Sequence, residues 1–211
     1  MKPEFHLEAL PKAQLKVWNQ INTEAKYLKA NGYYLAGGTG LALQLGHRRS
    51  VDFDFFSRKH ATAEGILSRL KRFPSYLLRE RDADTAHVEI SGVKLSFIGA
   101  YQYDTVKDLI QIDGIWMASV VDIALMKLLA ITHRATLRDY IDLAAIIRRS
   151  LPLKMLLQKS KQKYGRSFNA MLPLKALVSF SDLDEEMPLL LDKSLASSWR
   201  EILKQAVREL A

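Results

Sequence analysis

The chain has no cysteine among its 211 residues, so it offers neither a disulfide framework nor a thiolate metal site. It also lacks any apolar run approaching the roughly 20 residues that a membrane span requires, so no membrane partner is expected. The opening segment MKPEFHLEALPKAQ lacks the continuous apolar stretch of a secretory signal, which makes the cytoplasm the default location. Internal repeats and low-complexity linkers are missing too. What remains is ordinary globular composition, 48% hydrophobic and 26% charged, in a chain long enough for one large domain or a core with a helical extension. The formal net charge is +8, with 21 Lys/Arg against 16 Asp/Glu over residues 1–150 and 10 against 7 over 151–211. Such an excess favours polyanionic partners without identifying one, and solvated lysines and arginines account for it equally well.

Apolar spacing divides the chain into elements. Trp18, Ile21, Ala25 and Leu28 fall on one face of a helix predicted over 13–31, and Gly32 follows at the place of a C-terminal glycine. YYLAGG reads as a short strand entering a glycine turn, LALQLG as a brief buried helix and VDFDFF as a strand. A second amphipathic helix is predicted over 61–72, with Ile66, Leu67 and Leu70 inward. TAHVEI and VKLSFIGA, joined by Ser91-Gly92, form a β-hairpin signal, and IWMAS reads as another short strand. From Ser119 onward the pattern is helical, about 119–133, 137–149, 152–163, 168–178 and 194–210, with the acidic stretch 181–188 as a loop. Strands mixed with helices first and helices last predict an α+β fold. The division is a core over 1–118 and a helical part over 119–211 packed on it, the two being readable also as one continuous domain.

Strand periodicity decides what the segment VDFDFF can do. Val51, Phe53 and Phe55 project to one face, and Asp52 and Asp54 to the other. Two ionised carboxylates about 5 Å apart repel by about 3 kcal/mol at an effective dielectric of 20. The repulsion is met by protonation of one, by solvent, or by a bridging cation, for which a hard ion such as Mg2+ is suited. Gly37-Gly38-Thr39 opens a helix directly after a strand, thirteen residues before Asp52. Glycines let backbone N–H groups approach an anion, and a helix N-terminus adds partial positive charge. The turn and the carboxylate strand together suit a nucleoside triphosphate. A tight turn without ligand explains the glycines alone equally well.

Two blocks carry a resemblance. LAGGTGLALQLGHRRSVDFDFF resembles the signature of the AbiEii/AbiGii-type nucleotidyltransferases, the toxin half of type IV toxin–antitoxin systems. SVVDIALMKLLAITHRATLRDYIDL resembles the downstream motif of the same family. The resemblance implies a nucleotidyltransferase-like mixed sheet flanked by helices, of the DNA polymerase β superfamily. It implies transfer of a nucleoside monophosphate from a Mg2+–NTP complex, with Mn2+ as an alternative ion, to a hydroxyl acceptor on RNA, tRNA ends included. A cognate antitoxin is implied as a partner. Carried over by position, Gly37, Gly38 and Thr39 contact phosphate, and Ser50 lies beside the metal. Asp52 and Asp54 are the metal ligands, and Lys127 and Asp139 form the downstream active-site pair. The superfamily's third carboxylate is replaced by Ser96, in KLSFI, and Glu89 on the preceding strand is a substitute for it. That departure also fits a rival from another class, a catalytically silent module that binds nucleotide or a partner protein.

Each remaining residue has a plainer reading beside the functional one. Lys127 can be a lysine at a helix edge with its ammonium in water, or a cation for the triphosphate. Asp139, in Thr-Leu-Arg-Asp, can cap a helix by accepting backbone N–H groups. Asp142 is expected to pair with Arg138 or Arg134, and Ser119 with Asp122 as a helix cap. His47, Arg48 and Arg49 form a basic cluster in which Arg49 is the arginine chosen for phosphate, the others a solvated loop. Lys159, Lys161, Lys163 and Arg166 read as a wet helix surface, His87 as a structural histidine, and Trp18, Trp116 and Trp199 as core anchors.

Overall fold

The two central strands are the ones the glycine turn and the aspartates predict. β1 (Tyr34–Ala36) runs antiparallel to β2 (Phe53–Phe56), and between them lies the helix α3 (Gly37–Leu45). The structure is a computed structural model and describes residues 5–149, 151–181, 183 and 186–210. Before β1 come α1 (Lys12–Asn22) and α2 (Ala25–Ala30); after β2 come α4 (Ala63–Leu70) and three strands, β3 (Tyr76–Arg81), β4 (Thr85–Ile90) and β5 (Val93–Ile98). A second hairpin, β6 (Ile110–Ile112) and β7 (Ile115–Met117), leads into the helices α5 (Val120–Ala130), α6 (Leu137–Arg148), α7 (Leu153–Tyr164), α8 (Met171–Ala176) and α9 (Leu195–Arg208). The fold is α+β, with one mixed sheet in the order β3-β4-β5-β2-β1-β7-β6.

The two faces of the sheet follow from alternation. Leu35, Phe53, Phe55 and Phe97 join one buried cluster with Trp18 and Tyr33, under α1, α2 and α4. There Trp18 stacks on Phe53 at 5.9 Å and Phe55 on Phe97 at 5.0 Å. Tyr34 and Ala36, pointing the other way, join the cluster formed with α3 and the C-terminal helices, which includes Leu41, Ile123, Leu143 and Trp199. Asp54 lies between Phe53 and Phe55 on β2 and therefore faces this second, helix-covered side.

Several expectations change. The helix predicted over 13–31 is broken at Thr23–Glu24, where the buried Glu24 turns inward to meet Arg69, at 3.1 Å, and Arg72. Strand β3 was not predicted because YLLRER has no apolar alternation; it is an edge strand whose residues are largely exposed. The β6–β7 hairpin turns through Asp113 and Gly114, at φ +48° and +86°, the same geometry as the predicted Ser91-Gly92 turn at +51° and +79°. Val51 does not share a face with Phe53 and Phe55: β2 begins two residues later, and Val51 is exposed. Trp18 and Trp199 are core anchors, but Trp116 is half-buried, with the Lys29 ammonium over its ring. Asp182, Asp184 and Glu185 of the predicted acidic loop lie outside the described residues. Beyond them the chain returns to pair Leu190 with Arg48 in an isolated antiparallel bridge.

Candidate active site

At the end of β1 the chain turns into α3 at Gly37, where φ is +62°. Asp54 is the register partner of the preceding Ala36, so its carboxylate sits against this turn. A Cβ on Gly37 would lie 2.5 Å from Asp54 Oδ2, and one on Gly38 would lie 2.5 Å from Arg48 Nη2. Both glycines thus sit against charged side chains, and Gly37 is favoured by its backbone conformation as well. The first-turn N–H groups of α3 have no intrahelical acceptor, and Gly38 lines the adjoining cavity. Thr39 Oγ1 hydrogen-bonds with Ser50 Oγ at 2.8 Å and with the Asp52 carbonyl, which accepts. Those bonds fix the helix start against the 50–52 segment.

Asp52 and Asp54 line a cavity of about 110 Å3 together with Gly38, Ser50, Lys127 and Asp139. Asp52 is 41% exposed at its side chain, with Arg138 Nη1 at 4.0 Å. Asp54 is half-buried, and its carboxyl is pushed above the usual aspartate range, first by burial and then by the charge of Asp52. Hydrogen bonding from Ser96 and the positive charges of Lys127 and Arg134 act in the opposite direction. A carboxylate short of countercharge beside a second carboxylate is a site that gains from a cation. Among the described residues no three His, Cys, Asp or Glu side chains are grouped to hold a metal, and the carboxylates here that could hold one are Asp52 and Asp54. That set fits Mg2+, which takes one or two carboxylates and completes its shell with water and phosphate oxygens.

Lys127 comes from α5, and its ammonium is not in water. Nζ lies 2.5 Å from Asp139 Oδ1 and 2.7 Å from Asp142 Oδ2, and the residue is buried. Asp139 does not cap α6: Thr136 holds the cap position without a side-chain hydrogen bond, and the Asp139 carboxylate takes Lys127 and Arg134 Nε, the latter at 2.8 Å. Asp142 pairs with neither Arg134 nor Arg138. It accepts Arg48 Nε at 2.6 Å, Arg48 Nη2 at 2.8 Å and His47 Nε2 at 2.7 Å. Burial alone would raise the Asp142 carboxyl, but the charges of Arg48 and Lys127 and the hydrogen bonds of Arg48 and His47 hold it well below the aspartate range. His47 is lowered, first by burial, with Asp142 opposing; the neutral ring donates from Nε2 and leaves Nδ1 without a partner.

Arg48 and His47 are therefore buried parts of the site's framework rather than a solvated loop. Arg49 points elsewhere: it lines a neighbouring cavity of about 210 Å3 with Val51, Arg138 and Leu189. The bridge to Leu190 explains the exchange, since in an extended segment consecutive side chains point to opposite sides. Asp142 carried a usable signal, because it lies three residues from Asp139 and so on the same helix face. Nothing near His47 or Arg48 in the chain announces the returning segment.

The remaining candidates divide. Ser119 caps α5, accepting from the Asp122 backbone N–H at 3.0 Å. Lys163 is not on a wet surface: its buried Nζ lies 3.1 Å from Asp122 Oδ1, while Lys161 and Arg166 are exposed. Ser96 on β5 is the register partner of Asp54. Glu89 stands opposite Lys94, and its carboxylate accepts Arg79 Nη2 at 2.6 Å, so it is turned to the hairpin's edge.

With this geometry, similarity to known proteins is informative. Residues 24–211 match the family model described as nucleotidyl transferase AbiEii toxin, type IV TA system. The protein aq_aa25 of Aquifex aeolicus is 33% identical over 187 residues, 85% of this chain and 88% of that one. The fold is shared with MenT4, a nucleotidyltransferase toxin of Mycobacterium tuberculosis, at TM-score 0.58 and 15% identity, over 92% of this chain and 82% of that one. It is shared also with JHP933 of Helicobacter pylori, at TM-score 0.56 and 18% identity, over 95% and 94% of the two chains. The chain belongs to the AbiEii nucleotidyltransferase toxin family.

Proposed function

We propose that this protein is a divalent-metal-dependent nucleotidyltransferase that moves a nucleoside monophosphate from an NTP to a hydroxyl of RNA, tRNA ends included. Its setting is that of a cytoplasmic toxin controlled by a cognate antitoxin. The observation that carries the reading is convergence. Gly38, Asp52, Asp54, Lys127 and Asp139, from the turn, the carboxylate strand and two later helices, line one cavity. In this reading residues 1–118 bring the nucleotide-binding turn and the metal ligands, and 119–211 bring the cation and its carboxylate partners.

The amides of Gly37, Gly38 and Thr39 receive triphosphate oxygens at the N-terminus of α3. Asp52 and Asp54 would hold Mg2+ or Mn2+, which would supply positive charge to neutralise phosphate oxygens. The acceptor oxygen forms the new bond to the α-phosphorus and loses its proton to solvent. The bond from that phosphorus to the bridging oxygen breaks, and pyrophosphate departs. Lys127 is clamped between two carboxylates, so its positive charge is placed before the reaction begins and offsets charge growing on the leaving group. Ser50 supports the turn through Thr39, and Arg49, on the neighbouring cavity, is the cation left for phosphates of the longer acceptor.

Incubation of the protein with each labelled NTP, Mg2+ and total cellular RNA tests this. Label is expected in RNA, and Asp54→Asn is expected to abolish it. The silent-module reading draws on Ser96 beside Asp54; nucleotide binding without transfer from any NTP would establish that reading instead.

A further inference from the structure

Asp54, Ser96 and His87 stand in one row across three neighbouring strands. Ser96 is the register partner of Asp54 in the parallel β2–β5 pair and of His87 in the antiparallel β4–β5 pair. The residues on either side of each in its strand, Phe53 and Phe55, Leu95 and Phe97, Ala86 and Val88, are buried on the opposite face. His87 Nδ1 lies 3.1 Å from Ser96 Oγ, and Ser96 stands beside Asp54 as its cross-strand partner on the same face of the sheet.

The donor inventory gives this row a direction. A carboxylate only accepts, and a hydroxyl has a single hydrogen to donate. When Ser96 gives its hydrogen to the neighbouring Asp54, it accepts from His87, and Nδ1 is then the protonated nitrogen of that ring. The chain of donation runs from His87 through Ser96 to Asp54. Among the described residues Asp54 has no salt bridge, whereas Asp52 has Arg138 within 4.0 Å. An aspartate χ2 torsion is broad, so the orientation of a carboxylate without such a partner depends on its packing and its hydrogen-bonding neighbours. Glu89, the charged neighbour of His87 on this face of β4, is taken by Arg79 and does not compete for Ser96.

We propose that Ser96 and His87 are positioning residues for Asp54, holding its carboxylate in the orientation that binds a divalent cation. The proposal rests on the reading of Asp52 and Asp54 as the metal site. It assigns a role to a histidine that otherwise looks merely structural. It also makes Ser96 a supporting group where a third carboxylate is missing. Neither residue touches substrate; both act through Asp54, as hydrogen-bonded partners of ligating carboxylates do.

The test is Mn2+ binding to the purified full chain, by calorimetry, without nucleotide. Ser96→Ala and His87→Leu are each expected to weaken binding by about 10–100-fold. His87→Asn, which keeps an N–H near the Nδ1 position, is expected to stay close to wild type. Because the two residues act in series, Ser96→Ala/His87→Leu is expected to match Ser96→Ala alone. Wild-type affinity in Ser96→Ala, an Asn variant as weak as the Leu variant, or additive losses in the double variant would each overturn the proposal. Should His87→Leu not fold, Ser96→Ala and His87→Asn still decide it. If the wild-type chain itself binds no Mn2+, the metal-site reading fails and the row with it. If wild type binds and the variants match it, only the row fails.

Discussion

Arg48 grips Asp142 with two nitrogens, Nε at 2.6 Å from Oδ1 and Nη2 at 2.8 Å from Oδ2, across 94 residues of chain. Both side chains are buried, and Lys127 and His47 complete the shell around the carboxylate. Asp142→Asn leaves the buried Arg48 without its carboxylate and Lys127 with Asp139 alone, which is expected to cost about 3–5 kcal/mol of stability. Glu201→Gln, at the exposed pair with Arg208, is expected to cost about 1 kcal/mol or less. Urea denaturation of the two variants checks this; similar small losses would mean that solvent screens the Asp142 network.

Gly38 is the second test of that framework. An added methyl group meets Arg48 Nη2 at 2.5 Å, and Arg48 cannot retreat without loosening Asp142. Gly38→Ala is therefore expected to destabilise by about 1–3 kcal/mol, the scale of overpacking, even without nucleotide. An unchanged melting temperature would show that the guanidinium has room, and would leave phosphate approach as the reason for the glycine.

Burial and the neighbouring Asp52 raise the carboxyl of Asp54, so its ionised form opposes folding above its folded pKa. Removing that charge is expected to raise the melting temperature of the metal-free protein at neutral pH in Asp54→Asn. Mg2+ should raise the melting temperature of the wild type and leave that of the variant nearly unchanged. A variant that melts lower without metal would place the Ser96 hydrogen bond above the repulsion.

His47 sets the response to mild acid. Its folded pKa lies below the ordinary 6.5, so the unfolded chain binds more protons in that interval. The stability that the neutral ring contributes is complete above about 6.5 and is lost as pH falls from there through the lower folded value. Asp142, held well below 3.8, loses its contribution only in stronger acid. Denaturation midpoints measured from pH 7.5 to 5 should decline in the wild type and flatten in His47→Gln, which keeps a donor for Asp142. An equal slope in both would move the acid response to another group.

The elements and the central constellation were legible because they depend on neighbours in the chain. Phe53-Asp54-Phe55 declares its two faces by alternation alone, and Ser91-Gly92 and Gly37-Gly38 declare their turns by the conformations glycine permits. Ser119-x-x-Asp122 likewise is a cap between residues one helical turn apart. The missed β3 strand and the missed break at Glu24 depend instead on what lies alongside: β4 supplies the hydrogen bonds of the one, and Arg69 with Arg72 the countercharge of the other.

The same division runs through the candidate site. Asp52, Asp54, Gly38, Lys127 and Asp139 were read from two sequence blocks, and the fold brings them to one cavity. Local pattern also argued for Asp139 as a helix cap, because backbone N–H groups lie near it, and for Lys127 as a lysine at a helix edge with water as its partner. Folding replaced the backbone groups and the water with charged partners, since a buried charge needs a countercharge within contact distance. The arginine that enters the site, Arg48 rather than Arg49, is chosen by pairing with Leu190 from the far end of the chain. The row from His87 through Ser96 to Asp54 depends on the register of three strands. Sequence by itself determined which chemical groups this protein owns and which local turns and faces present them. Tertiary structure decided which of them meet, because hydrogen bonds and ion pairs act over a few ångströms and are indifferent to distance along the chain.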